Sequence, residues 1–179
     1  MKIVLVGYMG SGKSTIGRLL ANKLAISFID LDDYLEVEYG MSIKGIFDEK
    51  GIIFFRKAEC SALKRLAQST DSYVLATGGG TPCYGDNMKV ITASSNAVVY
   101  LKMNIPELIV RLLPERSQRP LISHLKEGEM AEFLGKHLFE RAPYYNQASL
   151  VLSVQNQSPE EVVIQIQKDL GLLNAYSSK

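Results

Sequence analysis

A phosphate-binding pattern stands near the start of the chain. Residues 7–14 match Gly-x-x-x-x-Gly-Lys-Ser/Thr at every position, with a buried-strand pattern before and a helical pattern after. The glycines let successive backbone N–H groups point at phosphate oxygens, and the amino end of the helix adds partial positive charge. Lys13 is expected to reach the β- and γ-phosphates, and the Ser14 hydroxyl to bind Mg²⁺. The predicted nucleotide contacts of this loop are Gly10, Ser11, Gly12, Lys13, Ser14 and Thr15.

Two aspartates follow the second predicted strand. The carboxylate of Asp32 could accept hydrogen bonds from acceptor hydroxyls and could take the proton of the attacking one, although phosphoryl transfer depends mainly on positioning and charge neutralisation. Asp30, two residues earlier on an extended chain, points the same way and could hold Mg²⁺ through water or steady Ser14. The alternative is that Asp32 or Asp33 simply caps a helix.

Two arginines are candidates for binding an anionic substrate. A planar guanidinium group grips a carboxylate with two parallel hydrogen bonds, and Arg56 and Arg141 could do so. Taken singly, either arginine could instead be a solvated surface residue or part of a salt bridge. Glu59 lies one helical turn after Arg56 and could pair with it and orient it.

Composition excludes several classes of partner. The chain has 179 residues and a formal net charge of +1, so no basic field argues for nucleic acid or a membrane surface. Its apolar stretches are too short to span a bilayer. Cys60 and Cys83 lack metal-ligand spacing, which favours reduced thiols in the cytoplasm. We therefore expect one compact domain over residues 1–179 that is cytoplasmic and acts on small molecules.

Strand patterns alternate with helical patterns along the chain. This alternation predicts an α/β fold with a parallel sheet covered by helices on both faces, and ligands at the carboxyl ends of the strands. Residues 113–128 show no clean periodicity and suggest a mobile functional loop. Strands are predicted at residues 2–6, 28–30, 73–76, 97–101 and 150–154; helices are predicted at 13–24, 32–39, 43–49, 52–67, from 105, 129–141 (closed by Pro143) and 159–170.

Size and missing motifs narrow the choice among phosphate-loop proteins. A chain of 179 residues leaves little room for the coupling domains of a motor ATPase. A small GTPase would carry the guanine-reading pattern Asn-Lys-x-Asp, and the sequence has none. Kinases and sulfotransferase-like folds remain open on these grounds.

Six motifs occur in a fixed order: residues 7–18, Phe28-Ile29-Asp30-Leu31-Asp32, Phe55-Arg56 with Glu59, Gly78-Gly79-Gly80, Arg119-Pro120-Leu121, and Arg141-Ala142-Pro143-Tyr144-Tyr145. Together they resemble the shikimate kinase family, over most of the chain. The resemblance implies an adenylate-kinase-like P-loop fold with a five-stranded parallel sheet and a mobile lid. It also implies ATP and Mg²⁺ as partners and the 3-hydroxyl of shikimate as acceptor.

The resemblance also assigns regions and residue roles. It implies a phosphate loop at residues 7–15, a substrate-binding region at about 30–62 and a lid at about 113–128. Arg56 and Arg141 are implied to bind the substrate carboxylate and Gly79 to touch the substrate. Arg119 in the lid is implied to meet the phosphates during transfer. Gln157, and more loosely Arg111, are candidates for contacts with adenine.

Other interpretations remain open at this point. A gluconate kinase or a nucleoside monophosphate kinase would share the phosphate loop, and a nucleotide-binding regulator without transfer chemistry would keep Lys13 and Ser14. The arginine pair favours a carboxylate acceptor over a nucleotide. His124 and His137 have no partner spacing and are interpreted as ordinary surface or lid histidines. We expect a monomer.

Overall fold

The chain folds around one parallel sheet. A computed structural model describes residues 1–118 and 121–172. The strand order is β2-β3-β1-β4-β5, and every neighbouring pair is parallel. The predicted five-stranded parallel sheet is confirmed. The strands are β1 (Lys2–Val6), β2 (Ser27–Asp30), β3 (Tyr73–Ala76), β4 (Ala97–Lys102) and β5 (Leu150–Ser153).

Helices connect the strands, and all of them except the helix at Asn87–Ser94 match a predicted helical segment. Short 3₁₀ turns occur at Thr81–Cys83, Arg116–Gln118 and Glu127–Glu129. Across the described ranges, no helix is both long and apolar enough to cross a membrane. The helices are α1 (Lys13–Leu24), α2 (Leu31–Tyr39), α3 (Ile43–Gln68), α4 (Asn87–Ser94), α5 (Ile105–Leu112), α6 (Met130–Tyr145) and α7 (Pro159–Asp169).

The central strand is buried on both faces. In β1, Ile3 and Leu5 pack into one hydrophobic cluster, and Val4 and Val6 pack into a second cluster on the opposite face. Side chains alternate across a strand, so a continuous apolar run requires cover on both sides. The helices provide that cover. Because β1 is the middle strand, the phosphate loop that follows it begins at the centre of the sheet.

The helical region after β2 is interrupted at the position that the sequence predicts. Ser42 accepts a hydrogen bond from the amide of Gly45 and caps the first part of α3. Gly51 then adopts φ 79° and ψ 167°, outside the helical region, and divides α3 into a short and a long part. The long part carries Arg56 and Glu59 towards the sheet.

One prediction of local structure is wrong, and one helix was missed. Helix α6 does not close before Pro143 but continues to Tyr145, which is completely buried. Proline removes one backbone donor, and burial of the Tyr145 ring against Tyr100, with ring centroids 5.0 Å apart, offsets that loss. Helix α4 was not predicted from the sequence, because its short segment shows apolar residues only at Met88 and Ile91 on its buried face.

Candidate active site

The phosphate loop links β1 to α1 and requires glycine at particular points. Gly10 and Gly12 have φ angles of 81° and 90°, in the left-handed region where a side chain is strained. Lys13 is nearly buried, and its Nζ donates to the backbone oxygens of Gly7 and Tyr8, each at 2.9 Å. The lysine is thereby held across the mouth of the loop.

Asp30 organises the junction between β2 and the phosphate loop. The Ser14 hydroxyl donates to Oδ2 of Asp30 at 2.6 Å, and the amide of Asp32 donates to Oδ1 of Asp30 at 3.1 Å. Asp30 therefore caps α2, which corrects the alternative that Asp32 or Asp33 does so. The Asp32 carboxylate is therefore not used as a helix cap and is available to a ligand in the cleft.

Burial sets the protonation of Asp32. Desolvation raises its pKa to about 6, and the negative charges of Asp30 and Glu59 act in the same direction, whereas Lys13 opposes them. The groups that influence Asp32 therefore come from both the phosphate loop and the helix that carries Arg56. Asp32 lies between those two regions and is poised to exchange a proton near neutral pH.

A cleft of about 520 Å³ opens above the carboxyl ends of the strands. A cleft of this size suits a small ligand. Eight of the predicted site residues line it, namely Gly10, Gly12, Lys13, Ser14, Thr15, Asp30, Asp32 and Gly79; Met9, Thr77, Gly78, Arg111 and Glu115 complete its walls.

Arg56 is held by a buried ion pair. Its Nη1 lies 2.5 Å from Oε2 of Glu59, and Glu59 is completely buried. The other carboxylate oxygen of Glu59 accepts a hydrogen bond from the hydroxyl of Thr81. A Cβ placed on Gly80 would lie 2.7 Å from Nη2 of Arg56, so the guanidinium group rests directly on the glycine turn. The predicted pairing of Arg56 with Glu59 is present.

Arg141 converges on the same region from α6. Burial raises the pKa of the Cys83 thiol to about 11, and the positive charges of Arg141 and Arg56 act in the opposite direction. Both guanidinium groups therefore lie near Cys83, although 85 positions separate them in sequence (141 − 56). Neither arginine is among the described residues that line the cleft of about 520 Å³: Arg56 rests on Gly80, and the guanidinium carbon of Arg141 lies 5.3 Å from the centre of the Tyr8 ring. Two neighbouring guanidinium groups are suited to binding a carboxylate.

The glycine turn after β3 packs on the phosphate loop. A Cβ on Gly79 would lie 3.1 Å from the backbone nitrogen of Met9, which leaves little room for a larger residue. The Tyr145 hydroxyl donates to the carbonyl oxygen of Gly79. This contact fixes the direction of the turn next to the cleft.

A smaller pocket of about 70 Å³ adjoins the phosphate loop on the other side. Ser11 and Gln157 both line it, and Arg111 lies between this pocket and the main cleft, with Nη1 3.5 Å from the Gly10 carbonyl oxygen. Arg111 and Gln157 therefore both lie beside the phosphate loop, on the side of the smaller pocket. Arg119 falls outside the described residues.

The sequence interpretation missed some contacts. His137 was expected to be an ordinary surface or lid histidine, but it is half-buried, with Nδ1 3.0 Å from the Tyr8 hydroxyl. Thr81 and Tyr145 were not singled out either. Their only sequence signals are their places beside the glycine triplet and inside the Arg-Ala-Pro-Tyr-Tyr motif.

The fold and the cleft define a class of protein. A phosphate loop after the central strand of a five-stranded parallel sheet, opening into a cleft lined by Lys13 and Asp32, is the arrangement of a P-loop kinase for small metabolites. The chain belongs to the shikimate kinase family: residues 9–171 match the family model for shikimate kinase.

Individual relatives agree with this assignment. The chain is similar to the shikimate kinase of Flavobacterium johnsoniae, with 45% identity over 90% of this chain and 94% of that protein, and to that of Flavobacterium psychrophilum, with 41% identity over 94% and 98%. The structure resembles crystallised shikimate kinase from Bacteroides thetaiotaomicron, with a TM-score of 0.87, 34% identity and coverage of 96% and 99%. Shikimate kinase from Acinetobacter baumannii in complex with shikimate gives a TM-score of 0.86 at 31% identity, with coverage of 95% and 93%.

Proposed function

We propose that this protein transfers the γ-phosphate of ATP to the 3-hydroxyl of shikimate, giving shikimate 3-phosphate and ADP. Membership of the shikimate kinase family makes it an ATP-dependent kinase. The observation that carries the proposal is the place of Asp32: it lines the same cleft as Lys13, and a Cβ on Gly78 would lie 3.1 Å from Oδ1 of Asp32 and 3.2 Å from Oε1 of Glu59, the residue that holds Arg56.

The phosphate loop and Ser14 would bind the nucleotide. The Ser14 hydroxyl oxygen and Oδ2 of Asp30 lie 2.6 Å apart. Hydroxyl and carboxylate oxygens are the kind of ligand that Mg²⁺ prefers. These two residues would hold the ion, with Asp30 acting directly or through water. Mg²⁺ would neutralise phosphate charge, and Gln157 and Arg111 would flank the adenine.

The acceptor would lie beyond Asp32. Arg56, fixed by Glu59, and Arg141 would bind the shikimate carboxylate, and the backbone of Gly79 would approach the ring. Asp32 would accept a hydrogen bond from the attacking hydroxyl and hold it in line with the phosphorus atom. Binding both ends of the acceptor removes most of the orientational freedom that transfer would otherwise have to overcome.

Cationic groups would stabilise the transferred phosphoryl group. Lys13 would stabilise the negative charge that develops on the β- and γ-phosphate oxygens. From the family resemblance, Arg119 is proposed to join it when the lid closes and excludes water. A cytoplasmic monomer remains our expectation from composition and resemblance.

The test is a comparison of acceptors. Purified protein with ATP and Mg²⁺ should release ADP with shikimate at a rate at least about a hundredfold above that with gluconate or a nucleoside monophosphate. A nucleoside monophosphate has no carboxylate for the arginine pair, and the flexible chain of gluconate does not hold a hydroxyl at a fixed distance from its carboxylate. Coupled detection of ADP measures the rates. A preference for gluconate would replace the proposal with a gluconate kinase, and ATP binding without turnover on any acceptor would favour a regulator.

Arg56→Ala should raise the KM for shikimate by about ten- to a hundredfold and leave the KM for ATP within about twofold, because one charged, two-pronged contact to the carboxylate is lost. Initial rates with each substrate varied in turn provide the measurement. Arg65→Ala is a matched control, since Arg65 lies on α3 like Arg56 and forms a solvent-accessible ion pair with Glu38 of α2. Equal increases in both KM values would remove Arg56 from the acceptor site.

A further inference from the structure

Tyr8 lies between Lys13 of the phosphate loop and Arg141 of α6. It is a member of the phosphate loop and is only 1% exposed. Its backbone oxygen accepts a hydrogen bond from Lys13 Nζ at 2.9 Å. On its other side, the guanidinium carbon of Arg141 lies 5.3 Å from the centre of its ring. One residue therefore touches both the phosphate-binding lysine and an arginine of the acceptor pocket.

The Tyr8 hydroxyl is anchored to α6. It lies 3.0 Å from Nδ1 of His137, and the two rings meet edge to face with centroids 6.1 Å apart. His137 is held in turn against Phe133, with centroids 4.6 Å apart. Burial and the positive charge of Arg141 lower the pKa of His137, and burial raises the pKa of Tyr8 to about 12. The pair is therefore neutral at physiological pH.

The spacing on α6 connects this anchor to the acceptor site. His137 and Arg141 are four residues apart, so they lie one above the other on the same face of the helix. A hydrogen bond that fixes His137 against Tyr8 also fixes the origin of the Arg141 side chain. The Tyr8 ring then offers its face to the guanidinium group, an attraction that limits the rotamers of a long and otherwise mobile side chain.

We propose that Tyr8 and His137 are positioning residues that set the distance between Arg141 and Lys13 and so select acceptors by the separation of carboxylate and reacting hydroxyl. The inference rests on the proposed function. Phosphoryl transfer is sensitive to such distances, because an acceptor bound about 1 Å out of place loses most of the benefit of orientation. In this account, the hydroxyl–imidazole contact acts through Arg141 and does not touch substrate.

Three variants test the contact. Tyr8→Phe removes only the hydroxyl, His137→Leu removes the imidazole, and His137→Asn keeps a polar atom close to the position of Nδ1. Tyr8→Phe and His137→Leu should each raise the KM for shikimate about five- to tenfold and leave the KM for ATP within about twofold, as expected for one lost hydrogen bond. His137→Asn should recover most of the loss. Phe139→Leu, at an exposed position of the same helix, is the matched control and should behave as wild type.

A double-mutant cycle separates this role from simple packing. The combined Tyr8→Phe, His137→Leu variant should be no worse than either single variant, because the two changes remove one shared interaction. Thermal denaturation checks that each variant folds. Unchanged shikimate KM values in both single variants would overturn the inference, as would equal rises in the two KM values or failure of His137→Asn to recover activity.

Failure of the proposed function gives a different result. Calorimetric titration of the wild-type protein with shikimate, in the presence of ADP and Mg²⁺, should show binding. Absence of wild-type binding and turnover would refute shikimate as the acceptor, and the inference with it. Wild-type turnover together with silent Tyr8 and His137 variants would refute the inference alone.

Discussion

Lys13→Ala should lower kcat by about a thousandfold or more, because the ammonium group is the one side-chain cation of the described phosphate loop and acts on charge that develops during transfer. Its hydrogen bonds to the carbonyl oxygens of Gly7 and Tyr8 hold it at the mouth of the loop. Steady-state rates at saturating ATP and shikimate, measured by coupled detection of ADP, give the change in kcat.

A control on the same helix separates charge loss from damage to the fold. Lys23→Ala removes an exposed lysine from the last turn of α1 and should leave kcat within about twofold. The Lys13 variant should still fold. Cooperative thermal denaturation is the measurement that checks this. Retention of more than about a tenth of wild-type turnover would show that Lys13 does not stabilise the transferred phosphoryl group.

Asp32→Asn should reduce kcat by about a hundredfold or more, because the amide can still bind a hydroxyl but cannot take its proton. The pH profile of the wild-type protein supplies a second measurement. Since Asp32 has a pKa of about 6 and acts in its ionised form, kcat/KM for shikimate should fall about tenfold per pH unit below pH 6. This acidic limb should be absent from the residual activity of the variant. A limb that persists unchanged would assign it to another group.

The same variant should be more stable than the wild type at about pH 8. The folded-state pKa of Asp32 is raised from 3.8, so its contribution to stability is fully present below about pH 4 and is lost as the pH rises through about 6. A neutral amide avoids the cost of burying the charge, which corresponds to about 1–3 kcal/mol in the free energy of unfolding. Denaturant titrations at about pH 8 and pH 4 should show the gain shrinking at the lower pH. A destabilised variant at pH 8 would contradict the burial argument.

The fold was predictable because each local signal agreed with the next. The apolar run of β1, the glycines and Lys13 that follow it, and the helical period after Lys13 all require a strand, a tight turn and a helix. The helix end predicted at Gly40 and the helix break predicted at Gly51 are both present, because few residues other than glycine tolerate their positive φ angles. The helix end predicted from Pro143 was wrong, because the burial of Tyr145 outweighs the cost of a proline in the last turn of a helix.

The site was predictable only in part. Asp30 and Ser14 are 16 positions apart, and the strand-to-helix pattern already placed them at the same edge of the sheet. The contact between Tyr8 and His137 spans 129 positions, and nothing in the local pattern of either residue indicates the other. Arg56 and Arg141 could be linked from the sequence only through a family resemblance. Contacts of this kind depend on how the helices pack, which the periodicity of one segment does not determine.

The central claim is that a phosphate end and a carboxylate-binding end meet across Asp32 with the acceptor's 3-hydroxyl in line. Phosphorus–proton correlation NMR of the reaction of ATP, Mg²⁺ and shikimate tests it most directly. The account predicts one phosphorylated organic product whose phosphorus couples to the proton on carbon 3 of the ring. Phosphate on another hydroxyl, or release of inorganic phosphate without a phosphorylated acceptor, would contradict the proposed geometry.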